Sequence, residues 1–262
     1  MILEKVSTMN KLKIANNFSR CAHLYDKYAD IQNKAAFELI GSLKNNNFSR
    51  ILELGCGTGN YTLMLRDRFK DAGIRALDIS DEMISVAQNK LKHKDIEFIV
   101  ADAEKIIPGH HFDLITSNAC FQWLNDLKQT LPRYAASLSR GGALCFSIFG
   151  PRTFCELNTV LESVLETSRV DSVNFCNQDD LKAMLKANFK SVKINESCYR
   201  ESFASLKSLL EKIKYSGVRG NGLDKRTYFS RGLLEKLQKT YLDKFQQIRA
   251  IYQVFFCYGE KR

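Results

Sequence analysis

The sequence has little that suits a membrane-spanning or secreted protein. Its 262 residues contain no apolar run approaching the roughly 20 residues that a helix needs to cross a bilayer. Residues 1–10 also lack the continuous apolar stretch of a signal peptide. We therefore expect a soluble protein of the cytoplasm that has no membrane partner.

Metal-ligating side chains are present, but they are not grouped along the chain. No cysteine lies within four residues of another, which excludes CxxC and zinc-knuckle spacings, and the four histidines form no ligand pattern. We expect no metal site. We expect free thiols in a reducing compartment, most of them packed as small core residues. The cysteines are Cys21, Cys56, Cys120, Cys145, Cys155, Cys176, Cys198 and Cys257.

Strand and helix patterns alternate over the first 150 residues, which predicts an α/β fold with a parallel sheet covered by helices on both faces. The expected order after an N-terminal helical stretch is β-α-β-α-β-α-β-α-β. Beyond residue 151 helical patterns dominate, and they are natural material for a lid over the carboxyl ends of the strands. Strands are predicted at 49–54, 73–78, 96–100, 112–117, 143–149, 192–197 and 250–258; helices at 10–44, after Gly59, and at 81–92, 123–138, 153–167, 178–187, 203–215 and 228–246.

Positive charge is concentrated near the end of the chain. Residues 200–262 hold 14 Lys and Arg against 6 Asp and Glu, whereas residues 1–199 hold 25 against 23. A basic region predicts an acidic partner, which is a nucleic acid, membrane headgroups or an acidic protein. The alternative is a solvated basic face without a partner.

A glycine-rich loop, Glu53-Leu54-Gly55-Cys56-Gly57-Thr58-Gly59, follows the first strand and opens a helix. It is not the dinucleotide fingerprint GxGxxG, because its third glycine comes four residues after the first instead of five. A pyrophosphate loop also avoids negative charge, so Glu53 points to a cationic or neutral ligand. S-adenosylmethionine meets this demand, since it carries an ammonium and a sulfonium and has no phosphate.

Two further acids follow the next two strands. Asp78 ends the second strand, where a carboxylate can accept both hydroxyls of a ribose. Asp102-Ala103 follows the third strand and is placed to hold an adenine edge through the carboxylate and a backbone amide. The alternative for each acid alone is a helix cap or a solvated loop residue. Three acids at three successive strand ends favour a ligand.

In these features residues 50–150 resemble the class I methyltransferases, with Ser117-Asn118 at the end of the fourth strand. The resemblance implies a Rossmann-like, mostly parallel sheet of seven strands with a helical lid, and S-adenosylmethionine as cofactor. The expected division is N-terminal helices 1–48, cofactor-binding core 49–150, lid with a sixth strand 151–249 and last strand 250–262. The implied cofactor-binding residues are Glu53, Gly55, Cys56, Gly57, Gly59, Asp78, Ile79, Asp102, Ala103 and Asn118.

The flanks resemble the malonyl-acyl-carrier-protein O-methyltransferases of biotin synthesis. The similar stretches are an N-terminal helix pair with Phe18, Arg20, Tyr25-Asp26 and Gln32, a lid segment at 210–221 and a last strand at 252–259. Val218 departs from the alanine that is frequent in that family. The resemblance implies methylation of the free carboxylate of a malonyl thioester. It also implies docking of an acidic acyl-carrier protein on a basic face, for which we name Lys207, Lys212, Lys214, Lys225 and Arg226.

A malonyl carboxylate is already ionised at neutral pH, so the reaction needs a closed, dry pocket and in-line placement of the reactants instead of a general base. Arg219 is the candidate for orienting one carboxylate oxygen, and Tyr25 for donating its hydroxyl. The alternatives are a solvated arginine and a tyrosine that packs between helices. Gln122 and Trp123 are candidates for the pocket wall, and Trp123 equally for the core.

Other functions stay open at this point. A small-molecule carboxyl or quinone methyltransferase keeps the fold and cofactor with another acceptor. An RNA methyltransferase is less expected, because no Asn-Pro-Pro-Tyr or Asp-Pro-Pro-Tyr tetrapeptide follows the fourth strand. A regulator that binds the cofactor without turnover is the third alternative. The sequence does not distinguish acyl-carrier protein from coenzyme A as the acyl carrier.

Overall fold

The computed structural model describes residues 10–44, 47–106, 109, 111–165, 170–216 and 230–262. Within them seven strands form one sheet in the order β3-β2-β1-β4-β5-β7-β6. Strands β1 to β5 run parallel, and β7 pairs antiparallel with both β5 and β6. The strands are β1 (Arg50–Leu54), β2 (Gly73–Asp78), β3 (Ile96–Val100), β4 (Phe112–Asn118), β5 (Leu138–Phe149), β6 (Phe189–Phe203) and β7 (Ile248–Lys261).

Nine helices are described around this sheet. Helices α1 and α2 precede the first strand, α3 to α5 lie between the parallel strands, and α6 to α9 follow β5. Their bounds are α1 (Lys11–Tyr28), α2 (Asp30–Ser42), α3 (Asn60–Arg68), α4 (Asp81–Lys90), α5 (Leu127–Ser137), α6 (Cys155–Leu165), α7 (Gln178–Asn188), α8 (Leu206–Tyr215) and α9 (Arg231–Phe245).

The predicted sheet of seven mostly parallel strands is confirmed, and the structure adds local detail and corrections. The described residues between β3 and β4 (101–106, 109 and 111) contain no helix, because the chain turns at 103–105. The helix predicted at 123–138 begins only at Leu127, where Asp126 caps it, after a separate 3-10 turn at Phe121–Trp123. The start of α4 is capped by Ser80, and Asp81 lies in its first turn. Both last strands are longer than expected.

Two hydrophobic clusters fill the two faces of the sheet. Side chains alternate along a strand, so Ile51 joins one cluster whereas Leu52 and Leu54 join the other. Helices α2, α3, α6, α8 and α9 contribute to the first cluster, and α5 and α7 to the second. By the same alternation Glu53 of β1 shares the face of Ile51, which is the face that α2 covers. This places the side chain of Glu53 toward the N-terminal helices.

No helix in the described part of the chain is long and apolar enough to cross a membrane. Across the same residues, no group of three or more His, Cys, Asp or Glu side chains is arranged to hold a metal ion. All eight cysteines are described and free, and four of them (Cys21, Cys56, Cys145 and Cys257) are buried. Half of the thiols are therefore core residues, fewer than we expected.

Candidate active site

Two adjoining cavities lie at the carboxyl edge of the parallel strands. The larger cavity encloses about 640 Å³ and the smaller about 330 Å³, in each case including space open to solvent, which suits a ligand of cofactor size. Both are lined by Tyr25, Gly55, Gly57 and Asn118. Helix α1 supplies Lys11, Ile14 and Phe18 to the larger cavity, and α2 supplies Gln32 and Asn33 to the smaller.

The glycine loop is shaped by positive backbone angles that L side chains rarely adopt. Gly55 has a φ of 73°, and a Cβ at this position would lie 2.5 Å from the Cβ of Cys120. Gly59 has a φ of 85° and caps α3. A Cβ on Gly59 would lie 3.2 Å from the Cβ of Ala87 in α4, so this glycine serves helix packing. Gly59 lines neither cavity.

Glu53 lies at the base of the smaller cavity and is almost fully buried. Its Oε2 atom has no hydrogen-bond partner among the described residues. Burial raises the pKa of Glu53 to about 8. The nearby hydroxyl of Thr62 opposes this rise in pKa, and the negative charge of Asp78 adds to it. The cavity therefore holds an acceptor that a cationic ligand would stabilise in its ionised form.

Asp78 is held firmly at the end of β2. Its Oδ2 accepts from the backbone N–H of Gly57 and its Oδ1 from that of Ser80, both at 2.9 Å. Burial raises the pKa of Asp78 even though these amides favour the charged form. Each carboxylate oxygen keeps lone pairs for the larger cavity, where Ile79 and Leu77 are neighbouring wall residues.

Asp102 and Ala103 also line the larger cavity. Asp102 has a cationic neighbour that the sequence did not reveal. The Nζ of Lys11 lies 2.8 Å from Glu104 and 3.7 Å from Asp102, and it donates to the carbonyl oxygen of Trp123 at 2.9 Å. Lys11 therefore ties the start of α1 to the loop after β3 and to the 3-10 turn.

Asn118, at the end of β4, is oriented by bonds at both ends of its amide. Its Oδ1 accepts from the hydroxyl of Ser147 at 2.7 Å, and its Nδ2 donates to the backbone carbonyl of Gln32 at 3.0 Å. The next residue, Ala119, has a φ of 53° and donates its N–H to the Ser147 hydroxyl. Asn118 thus joins α2 to the sheet as well as lining both cavities.

Tyr25 faces both cavities, and its hydroxyl has no hydrogen-bond partner within the described chain. Burial raises the pKa of Tyr25, so the hydroxyl stays protonated and can donate. The next residue anchors this part of α1. Asp26 accepts from the hydroxyl of Thr58 at 2.5 Å and from Asn60 at 3.1 Å, and it pairs with Lys90 at 2.6 Å.

The predicted site residues thus meet at one edge, with exceptions. Gly59 stands apart, and Cys56 lines only the smaller cavity. Trp123 lines the larger cavity and is also core, whereas Gln122 lines neither. Arg219 lies outside the described residues. Whether any of these residues touches a ligand stays a prediction.

The predicted docking face needs one correction. Lys212 is buried, with a side chain only 7% exposed, and it pairs with Asp30 at 2.6 Å and Glu201 at 3.1 Å. It therefore holds α8 against α2 and β6 and is not available to a partner. Lys207 and Lys214 are exposed, and Lys225 and Arg226 lie outside the described residues.

Comparison with known proteins identifies the family. Residues 51–142 match a family described as a methyltransferase domain. The malonyl-acyl-carrier-protein O-methyltransferase of Bacillus cytotoxicus is 36% identical over 97% of this chain and 93% of its own. The enzyme of the same name from Bacillus anthracis is 36% identical over 80% of this chain and 81% of its own. The chain belongs to the malonyl-acyl-carrier-protein O-methyltransferase family.

The fold of this family member is shared by distant methyltransferases. Phosphoethanolamine N-methyltransferase 2 of Haemonchus contortus, solved with phosphomonomethylethanolamine and S-adenosylhomocysteine, superposes with a TM-score of 0.61. The match is 20% identical and covers 98% of this chain and 60% of that one. At this identity the likeness concerns the fold alone.

Apart from Tyr25, sequence reasoning missed the lining residues that α1 and α2 contribute. The signal for Lys11, Ile14 and Phe18 was weak, because an amphipathic helix buries its apolar face wherever it packs. For Gln32 a signal existed, since a polar residue surrounded by Ile31, Ala35 and Ala36 interrupts the apolar stripe of α2. A buried glutamine in such a stripe needs a partner, which is a reason to test it as a site residue.

Proposed function

We propose that this chain transfers a methyl group from S-adenosylmethionine to the free carboxylate of malonyl-acyl-carrier protein, as an early step of biotin synthesis. Membership of the malonyl-acyl-carrier-protein O-methyltransferase family supports this acceptor. It does not favour a quinone, another small carboxylic acid or RNA. Free thiols at all eight cysteines support work in a reducing compartment such as the cytoplasm.

The residues at the two cavities fit S-adenosylmethionine, which supplies a methyl group activated by a sulfonium. The orphaned Oε2 of Glu53 suits its ammonium, and the amide-bound carboxylate of Asp78 suits its ribose diol. Apolar side chains of Ile14, Phe18 and Met83 line the larger cavity, where an adenine ring would be covered. In this proposal the carboxylate of Asp102 accepts from the exocyclic amine of the adenine, and it also lies 3.7 Å from the ammonium of Lys11.

The observation that carries the proposed chemistry is the unpartnered hydroxyl of Tyr25 where the two cavities meet. Because burial raises the pKa of Tyr25, the group acts as a donor to a carboxylate and not as a base. Burial also raises the pKa of Cys120 to about 12, so that thiol stays neutral. No histidine is among the described residues that line the cavities, which suits an acceptor that is already ionised.

The carboxylate also needs a cation. Lys11 is the sole basic residue among the described lining residues, and its ammonium is engaged by Glu104. A second cation is therefore required, and Arg219 remains our proposal for it, with one carboxylate oxygen bound and the other left free to react. No described residue of 151–249 lines either cavity, so in this proposal the lid that carries Arg219 is the segment 210–221.

The acidic carrier protein docks on the basic C-terminal quarter of the chain in this proposal. Lys207 and Lys214 are exposed on α8 and support such a face, and Lys225 and Arg226, outside the described residues, stay candidates for it. Lys212 is excluded by its buried pairs with Asp30 and Glu201.

Methyl transfer from labelled S-adenosylmethionine tests the function directly. We expect a base-labile methyl ester on malonyl-acyl-carrier protein and no label on acetyl-acyl-carrier protein, which lacks the free carboxylate. Malonyl-coenzyme A in a parallel reaction measures how much the carrier contributes. Tyr25→Phe should lower kcat by about tenfold, the effect of losing one hydrogen bond to a charged group. Cofactor binding without ester formation on either malonyl thioester would contradict the proposed function.

A further inference from the structure

Gln32 is a buried polar residue that the proposed reaction has not yet used. It lies on α2, is only 5% exposed and lines the smaller cavity. Its Oε1 atom is buried without a hydrogen-bond partner among the described residues. A buried acceptor without a partner is unfavourable, so its retention at a cavity wall points to a ligand donor that completes it.

A second acceptor in the same condition lines the same cavity. The Oε2 atom of Glu53 is buried and also has no described partner. Glu53 is on the sheet face that α2 covers, so the two side chains approach the cavity from two elements packed on each other. Together they form a recognition site with two acceptors, one of which belongs to a carboxyl that a bound cation would ionise.

The position of Gln32 is fixed by the sheet. Asn118 donates to the backbone carbonyl of Gln32 at 3.0 Å and is itself oriented by the hydroxyl of Ser147. The neighbouring polar groups are already committed elsewhere. Asn33 accepts from Asn60 at 3.0 Å, and Thr58 donates to Asp26. Beside the hydroxyl of Tyr25, Gln32 and Glu53 therefore remain as side-chain acceptors at this cavity.

We propose that Gln32 is a cofactor-binding residue that, with Glu53, accepts hydrogen bonds from the α-ammonium of the cofactor. This inference rests on the proposed function for the identity of the cofactor. A primary ammonium offers three N–H donors, so it can satisfy both orphaned acceptors at once. Gln32 thereby selects for ligands that carry the amino-acid end, and it contributes little to binding of the adenosine end.

Calorimetric binding of two ligands to the full-length protein separates these contributions. S-adenosylhomocysteine carries the ammonium, whereas 5′-methylthioadenosine lacks the amino-acid end. Gln32→Leu should lower the affinity for S-adenosylhomocysteine by about 10- to 100-fold, the range for a hydrogen bond to a charged group. It should change the affinity for methylthioadenosine by less than about threefold. Gln32→Glu keeps an acceptor and should restore most of the affinity.

Gln122→Leu is the matched control. Gln122 is about as buried and also has an orphaned Oε1, but it lines neither cavity, and its Nε2 donates to the carbonyl of Ala119 at 2.6 Å. The control should change the affinity for either ligand less than about threefold. Gln32→Leu should also leave the thermal midpoint unchanged or raise it, because it removes an unpaired acceptor, whereas loss of a purely structural residue would lower it.

Equal weakening of both ligands by Gln32→Leu, or weakening of neither, would overturn the inference. A wild-type protein that binds S-adenosylhomocysteine but forms no malonyl ester would overturn the proposed acceptor alone. In that case a selective loss in Gln32→Leu would still support the role of Gln32.

Discussion

The two walls of the active site are held in place by different forces. The strand-end wall comprises Glu53, Gly55, Gly57, Asp78, Asp102, Ala103 and Asn118. The helical wall comprises Lys11, Ile14, Phe18, Tyr25, Gln32 and Asn33. Backbone pairing fixes the first wall, since β1 and β2 are in parallel register and the N–H groups of Gly55 and Cys56 both donate to the carbonyl of Leu77.

The helical wall is held by apolar packing on the sheet and by a few polar side-chain contacts. Asp26 ties α1 to the glycine loop and to α4, Lys11 ties its first turn to Glu104, and Ser19 bonds to Ser80 at 2.9 Å. The comparison teaches that backbone changes should damage the strand-end wall, whereas single side-chain deletions should loosen the helical wall and leave the fold intact.

Gly55→Ala should have the largest effect. The new Cβ would clash with Cys120 and force a φ of 73° on an alanine. Overpacking and a left-handed backbone together cost about 2 to 5 kcal/mol of folding free energy. We expect loss of cofactor binding and a large drop in the urea midpoint, measured by calorimetry and by denaturant unfolding.

Gly57→Ala is the matched change, because its φ of 53° is equally strained but no atom lies within 4 Å of the new Cβ. It should lower the free energy of unfolding by only about 1 to 2 kcal/mol, the cost of a left-handed backbone on an alanine. Equal losses for the two variants would contradict the view that close packing against Cys120 sets the geometry of this wall.

The same contrast explains how much the sequence could predict. The succession of strands along the chain and the acid Asp78 at a strand end follow from short-range patterns, since a strand and its following turn leave a local signature. Lys11 has no such signature, and the polar residue Gln32 in an apolar stripe signals burial but not a role. Both roles arise only when α1 and α2 pack over the sheet. The edge strand β6 was predicted only at 192–197, because most of its side chains are exposed and polar.

Asp26→Ala tests the anchoring of the helical wall. It removes the hydrogen bonds from Thr58 and Asn60 and the ion pair with Lys90. The preceding residue, Tyr25, then loses its fixed placement. We expect kcat/KM for malonyl-acyl-carrier protein to fall about tenfold, as small misplacements near a reacting group do. The folding free energy should change by less than about 1 kcal/mol, because the Asp26 side chain is 45% exposed.

Asp67→Ala is the control, since Asp67 is 60% exposed and pairs only with Lys94 at 3.2 Å in the described structure. It should leave kcat/KM unchanged. If Asp26→Ala behaved like Asp67→Ala in steady-state kinetics, α1 would be held by its apolar packing and not by Asp26.

The smallest expected effect concerns the pH dependence of cofactor binding. Because burial raises the pKa of Glu53 to about 8, the free protein carries a proton on this carboxyl below that pH. An ammonium at the smaller cavity favours the ionised form, so binding releases the proton and becomes tighter as pH rises. The gain for one proton is at most about tenfold per pH unit. We therefore expect S-adenosylhomocysteine affinity to rise several-fold between pH 6.5 and 8 and to level off above.

Glu53→Gln isolates this effect, because glutamine keeps the shape and an acceptor oxygen but cannot titrate. Its affinity for S-adenosylhomocysteine should be lower at pH 8 and nearly flat between pH 6.5 and 8. Methylthioadenosine, which lacks the ammonium, should show no slope with either protein. A wild-type slope that persists in Glu53→Gln would assign the released proton to another buried acid, of which Asp78 is the nearest candidate because burial also raises its pKa. The titrating group would still belong to the strand-end wall. Binding of the ligand's ammonium would then depend mainly on residues of the helical wall.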